Sequence, residues 1–539
     1  VLEKLKQRYG LLTIGLFAVA YIFLVIEIIQ SASRPMWFDE AWRPDFIDRN
    51  FSIPIGERQS YAPISLGLYL VTKLAVICID DNFTQRITTY LALLVLPIVT
   101  FWFCRVYLNT PVAKAMILIS VSCGYIIEFS TQDKPYIVDI VCTLSLILAF
   151  HFYLRGNLRL RYFLVAAVIL LLLSFTVFFT LVCISIWWTY IVCRQRLSKK
   201  WYHLAIWLCT IATLGASYLY LFIKPQLTSN LYTYWQELYL HGTIATILSN
   251  TAYDLLTMFG LYIGNHYLSP GLEPNSVLWN TPQFGYTHQI LGISNYYGVL
   301  YLVLFVYGCI VLWRDRKIVI LWLIAGFYSL EWITSLARQW AFGNARTNLF
   351  STYLITIVVV YGLINLIKML IRRKNLVAIS LLAASIVIIL PYYQIITIIG
   401  GGNTYGGGTF GADSDGYASG VQQAAVYVAA HSQRPDVVLV SGYIGPFGFQ
   451  YYYDHSDYTA HFRSTESNNV LYSLTNNMSL PVVDTSTNNS TTIVWAVDID
   501  SVVSSRILTL QKDGFKIISH SNFRDVSVVK LALKPNSLE

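Results

Sequence analysis

Apolar runs of about twenty residues recur along the first four hundred positions, each broken by a short polar or basic connection, and runs of that length match the hydrocarbon thickness of a bilayer. The first covers Gly10–Gln30. Later ones cover Ile87–Val106, Pro111–Phe129, Tyr136–Leu154, Tyr162–Ser174, Val177–Val192, Trp201–Ile223, Tyr296–Trp313, Ile318–Leu336, Phe350–Leu370 and Leu376–Ile395. The pattern predicts about eleven membrane spans. Pro63–Ile79 is also apolar, but it is shorter and contains Lys73. Beyond Ile399 the pattern changes. Ile399–Gly416 is glycine-rich and reads as a flexible linker. A helix-like stretch follows over Tyr417–His431, then a strand at Val437–Ser441 and an aromatic turn and helix at Pro446–Tyr453. Next come a strand at Thr492–Val497, a helix at Ser501–Gln511, and strands near Phe515–Ser519 and Val526–Leu533. Strands alternating with helices predict a small α/β domain. The expected organisation is a transmembrane domain over 1–398, a linker over 399–416 and an extracytoplasmic α/β domain over 417–539.

Composition agrees with this and removes alternatives. Of 539 residues, 55% are hydrophobic and 12% charged, about half the charge of a soluble domain. The chain is therefore read as a polytopic α-helical membrane protein, and no nucleic-acid partner is expected. Basic residues belong to the apolar part: residues 401–539 hold 8 Lys and Arg against 12 Asp and Glu, the rest 29 against 17. If Pro63–Ile79 lies on the membrane surface, every basic cluster falls on the side of the N-terminus. These are Arg105 with Lys114; Arg155, Arg159 and Arg161; Arg194, Arg196, Lys199 and Lys200; Arg314, Arg316 and Lys317; and Arg372, Arg373 and Lys374. The positive-inside rule then places the N-terminus in the cytoplasm and the tail outside, in a plasma (inner) membrane, or in the ER membrane of a eukaryote. The N-terminal run is too long for a signal peptide and lacks a small-residue cleavage site, so it reads as an uncleaved first helix. The eight cysteines all lie in apolar segments and read as small buried hydrophobes.

This threading gathers the polar chemistry on the outer face, in the loops Ser31–Arg86, Ser130–Pro135, Lys224–Asn295 and Ala337–Leu349. The first is large and is expected to carry interfacial helices. It opens with RPMWFDEAW, which brackets Asp39 and Glu40 with Trp37, Phe38 and Trp42. The second places Asp133, Lys134 and Tyr136 at a membrane boundary, with Pro135 opening the next helix. The fourth carries Arg338 and Arg346, outward arginines that run against the positive-inside bias and invite an anionic ligand. The third is rich in Tyr and Trp and long enough to be a lid or acceptor loop. Its His241, His266 and His288 lack a metal-ligand spacing. The short spans on either side of Phe175–Phe178 would leave a depression on the same face. Together these groups suit glycosyl transfer from a lipid-linked phosphate sugar: cations neutralise the leaving phosphate, a carboxylate takes the acceptor's proton, and aromatics stack on sugar.

The ordered motifs resemble the multispanning glycosyltransferases of the C superfamily, nearest the protein O-mannosyltransferase and aminoarabinose transferase branch. FDEAW stands where that family has its DE loop, SYAPISLGLYL its "hPPLyyll" interfacial helix, DNFTQRITTYLALL its "alRlps.l.g" segment, and EFSTQDKPYIVDI its "sqeaRpYal". An outward arginine before a late span and an α/β tail are also typical. The chain departs from the pattern at Ala62-Pro63, at Asp133-Lys134, and in lacking an Arg-Tyr pair at Arg346. The resemblance implies transfer from a polyprenyl-phosphate monosaccharide to a glycan, lipid or protein hydroxyl, with inversion. Asp39 would be the base, with Glu40 supporting it or holding a divalent cation. Asp133, Lys134, Tyr136, Arg338 and Arg346 would hold the donor. Trp37, Trp42, Arg58, Tyr61 and His266 would face the acceptor or form the lid.

Two other classes compete. A transporter or flippase for a lipid-linked sugar would need charged or broken mid-membrane helices and inverted repeats. The chain shows Glu331 inside a span and no repeat. A non-catalytic glycan-assembly subunit would have no need of Asp39, Glu40 and Asp133 together.

Overall fold

The computed structural model describes residues 2–32, 65–79, 82–122, 135–195, 198–220, 239–259, 294–340, 347–372, 412–432, 437–441, 471–474, 492–499, 515–523 and 526–533, with a few isolated positions. The chain divides into two compact units, one holding the apolar helices and one holding a sheet.

In the first unit the apolar runs become helices, because inside a bilayer every backbone donor and acceptor must be satisfied within its own segment. They are α1 (Leu2–Ala32), α2 (Leu66–Cys78), α3 (Asn82–Gln85), α4 (Ile87–Tyr107), α5 (Thr110–Ser122), α6 (Tyr136–Leu154), α7 (Leu160–Leu173), α8 (Val177–Gln195), α9 (Ser198–Tyr218), α10 (Ile244–Met258), α11 (Ser294–Arg314), α12 (Ile318–Leu336) and α13 (Leu349–Arg372). Among the described residues six of these, α1, α4, α6, α8, α12 and α13, are long and apolar enough to cross a membrane. Helices α5, α7 and α11 contribute shorter apolar stretches, and the predicted Leu376–Ile395 lies outside the described residues. Helix α2 settles the length of the ambiguous segment. Its 13 residues reach about 20 Å at 1.5 Å per residue, short of the roughly 30 Å hydrocarbon core.

Close backbone approach locks α11 to α13. A Cβ at Gly308 would collide with the Val358 carbonyl oxygen, and one at Gly362 with that of Leu304. Tyr301 and Thr356 hydroxyls bond across the same pair at 2.8 Å. Small residues at a helix crossing let dispersion act where lipid removes the hydrophobic drive. Elsewhere in the bundle Phe150, Tyr153, Phe163, Trp188 and Trp207 pack into one aromatic block from α6, α7, α8 and α9.

The second unit is a mixed five-stranded sheet of order β2-β1-β3-β5-β4, with β1 Val437–Ser441, β2 Leu471–Leu474, β3 Thr492–Ile499, β4 Lys516–Phe523 and β5 Val526–Leu533. Strands β2, β1 and β3 run parallel, while β5 is antiparallel to both β3 and β4. Helix α14 (Ala412–His431) covers the sheet with Val421, Ala424, Ala425, Val428 and Ala429, a 3.6-residue stripe packed on Val438, Trp495, Val497, Val526 and Val528. Gly420 brings the helix against the Phe523 carbonyl, where a Cβ would sit 2.5 Å from the oxygen. Two details differ from expectation. Strand β2 has no strong sequence signal, and α14 starts at Ala412, inside the expected linker. Extending an established helix adds one hydrogen bond per residue, which offsets the roughly 1 kcal/mol cost of Gly416.

Candidate active site

The helix ends that flank the four candidate loops are bonded to one another. Ser31, the penultimate residue of α1, has its hydroxyl 3.0 Å from that of Tyr90 in the first turn of α4. Arg86, immediately before α4, is fully buried and donates from a terminal nitrogen to the Ser31 carbonyl at 3.2 Å. A buried guanidinium thus stands where the chain leaves α1 toward Asp39 and Glu40. Sequence reasoning assigned Arg86 no role, although it is the arginine of the DNFTQRITTYLALL segment.

A second knot surrounds the predicted depression. The break between α7 and α8 is the turn Ser174–Thr176, and Ser174 is fully buried. Its hydroxyl donates to Asp139 Oδ1 at 2.5 Å and lies 2.9 Å from Thr176 Oγ1. Asp139 is 5% exposed and sits in the first turn of α6, so its carboxylate also lies where the helix dipole favours negative charge. One residue ahead of the turn, the Leu173 carbonyl accepts from Ser65 Oγ at 2.8 Å, and the Leu66 amide donates to the Tyr218 hydroxyl at 3.1 Å. Gly67 is required there, since a Cβ would meet the Leu172 oxygen at 2.8 Å. The start of α2, the start of α6, the α7–α8 turn and the end of α9 are thereby pinned together. Asp139 and Ser174 were missed from sequence; the only signal was an acid one turn beyond Tyr136.

The third group joins α12 to α13. Trp340 Nε1 donates to Asn348 Oδ1 at 2.6 Å, and the Trp340 ring meets Phe179, which stacks on Phe350. Ser335 Oγ accepts from the Leu240 amide at 3.0 Å, and Trp332 Nε1 donates to Thr251 Oγ1 of α10 at 3.0 Å. Helix α10 therefore packs by its polar face, while Ile244, Leu248 and Leu255 stay exposed. Asp254 is half-buried in α10, and burial pushes its carboxyl up to about 8.

Two of the residues nominated from sequence are described. Tyr136 is half-buried at the first position of α6, over the Asp139 knot. Arg338 is exposed just past α12 with φ +56°, the left-handed conformation of a helix-terminating residue. Arg316 adopts the same conformation just past α11, so this geometry ends helices at both sites and is not by itself a mark of function. Trp37, Asp39, Glu40, Trp42, Arg58, Tyr61, Asp133, Lys134, His266 and Arg346 lie outside the described residues, as does any cation beside Asp39 and Glu40. Among the described residues no three His, Cys, Asp or Glu side chains gather as a metal site.

No family model matches the sequence, and no curated protein matches it. Solved structures do. ArnT from Cupriavidus metallidurans, crystallised with undecaprenyl phosphate, superposes with a TM-score of 0.52 at 11% identity, over 97% of this chain and 98% of that one. The chain shares the fold of that ArnT. The apo crystal structure of the same ArnT gives a TM-score of 0.49 at 12% identity over 97% and 98%. An Archaeoglobus fulgidus oligosaccharyltransferase complexed with zinc and sulfate gives 0.45 at 12% over 80% and 61%.

Proposed function

We propose that this protein transfers a monosaccharide from a polyprenyl-phosphate donor to an acceptor hydroxyl on the extracytoplasmic face, with inversion at the anomeric carbon. The observation that carries this reading is the end-to-end likeness to a transferase crystallised with undecaprenyl phosphate, over 97% of the chain. In the proposed reaction the acceptor oxygen attacks the anomeric carbon while Asp39 takes its proton, and the glycosidic electron pair leaves with the polyprenyl phosphate. Glu40 supports Asp39 or holds a divalent cation. Lys134, Arg338 and Arg346 neutralise the leaving phosphate at headgroup depth, and Asp133 and Tyr136 position the donor. Trp37, Trp42, Arg58, Tyr61 and His266 stand on the acceptor side. The buried Arg86 anchors the base of the loop that carries Asp39. The Asp139–Ser174 knot fixes the helix turn that carries Tyr136, which is the structural support for the donor assignment.

The test is turnover of purified protein with radiolabelled polyprenyl-phosphate sugars and a panel of lipid, glycan and protein acceptors. Wild type should release polyprenyl phosphate and label an acceptor. Asp39→Asn should lower transfer by about 10²–10⁴-fold, the range a positioned general base supplies. Near-wild-type transfer by that variant would remove Asp39 as the base. Movement of intact donor across a vesicle membrane without cleavage would favour a flippase.

A further inference from the structure

Glu331 lies inside α12, five residues before its end, and is fully buried. Neither carboxyl oxygen has a hydrogen-bond partner, and among the described residues no Lys, Arg or His pairs with it. The hydroxyls around it are unmatched too. Tyr328 OH and Thr352 Oγ1 are buried without partners. Ser351 lies beside the carboxyl, but its hydroxyl proton is directed to the Asn348 carbonyl at 2.8 Å. Tyr328 adjoins Ser351, Thr352 and Glu331, so the four oxygen-bearing side chains form one cluster between α12 and α13. The edge of Tyr328 against Phe342, at 6.4 Å between centroids, helps cover it.

Buried polar groups are rarely left unmatched, and an intramembrane acid is retained only where something neutralises it. We infer that Glu331, Tyr328, Ser351 and Thr352 form a binding site for a monovalent alkali cation. The ligands are all hard oxygens, the chemistry of alkali and alkaline-earth ions. One carboxylate balances one positive charge; a divalent ion would leave a net charge in a low-dielectric core. The ion ties α12 to α13 directly below the connection that bears Arg338. This inference stands on the cluster and not on the transferase reading.

Thermal unfolding of the full chain in detergent or nanodiscs tests it, in sodium, potassium and choline chlorides at equal ionic strength. A ligand bound to the folded state alone raises Tm with a saturable dependence on its concentration, here by about 2 °C or more. The expected result is a higher Tm in sodium or potassium than in choline, lost in Glu331→Gln. Thr352→Val provides the second measurement should Glu331→Gln fail to fold, and it should weaken the dependence at least several-fold. Equal Tm in all three salts, or a salt dependence that survives both substitutions, overturns the site.

Discussion

Asp139 and Glu331 are both buried among the membrane helices, and their surroundings treat them in opposite ways. Asp139 receives the Ser174 hydroxyl at 2.5 Å, and Glu331 receives nothing from its neighbours. The difference lies in where the hydroxyls stand. Ser174 sits in a turn between two helices, so its side chain is free to reach another element. Ser351 stands in the first turn of α13 and donates to its own backbone, at Asn348. Hydroxyls within a helix commonly bond back in this way and are lost to their neighbours. A polar group at a break between helices thus builds a joint, whereas one in a helix interior creates a need that a ligand can meet.

The contrast can be broken most severely at the first site. Asp139→Leu should destabilise the fold by about 2–4 kcal/mol, because it removes a buried charge-assisted bond and leaves the Ser174 hydroxyl with Thr176 alone. Chemical unfolding would register it, together with a loss of transfer activity. Gly362→Ala should come next, at about 1–3 kcal/mol, since its Cβ has no room against the Leu304 carbonyl and α11 must shift. At the second acid, Glu331→Leu in choline chloride should change stability by less than about 1 kcal/mol, because it deletes an unmatched group and leaves few partners behind. A loss comparable to that of Asp139→Leu would show that the two sites do not differ.

The smallest effect concerns Asp254, in α10 outside the spans. Its folded value, about 8, lies above its unfolded value, so the fold binds more protons than the unfolded chain between those limits. Its contribution is therefore full below about pH 4 and is lost as pH rises through about 8. Hydrogen exchange of α10 should quicken over that window, and Asp254→Asn should flatten the profile.

Much of this architecture was legible in the chain. Ten apolar runs predicted as spans coincide with helices, because a period-free apolar segment of that length has one stable form in a bilayer. The sheet unit was legible where apolar, β-branched residues are dense, at Val437–Ser441 and Val526–Leu533, and not at Leu471–Leu474, whose four residues become a strand by pairing beside β1. Of the site, Tyr136 and Arg338 were nominated for their residue types and loop positions. Asp139, Ser174 and Arg86 were not, because their roles are relations across 35 and 55 residues.

What the sequence determined by itself was every property that depends on a residue and its near neighbours: which stretches are apolar, how long they run, and which ends carry charge. The tertiary structure alone decided which buried polar groups meet. Helix–helix register in a membrane is set by small residues and close packing, as at Gly308 and Gly362, and no local pattern encodes it. For that reason Asp139 and Glu331 look alike along the chain and differ in the fold.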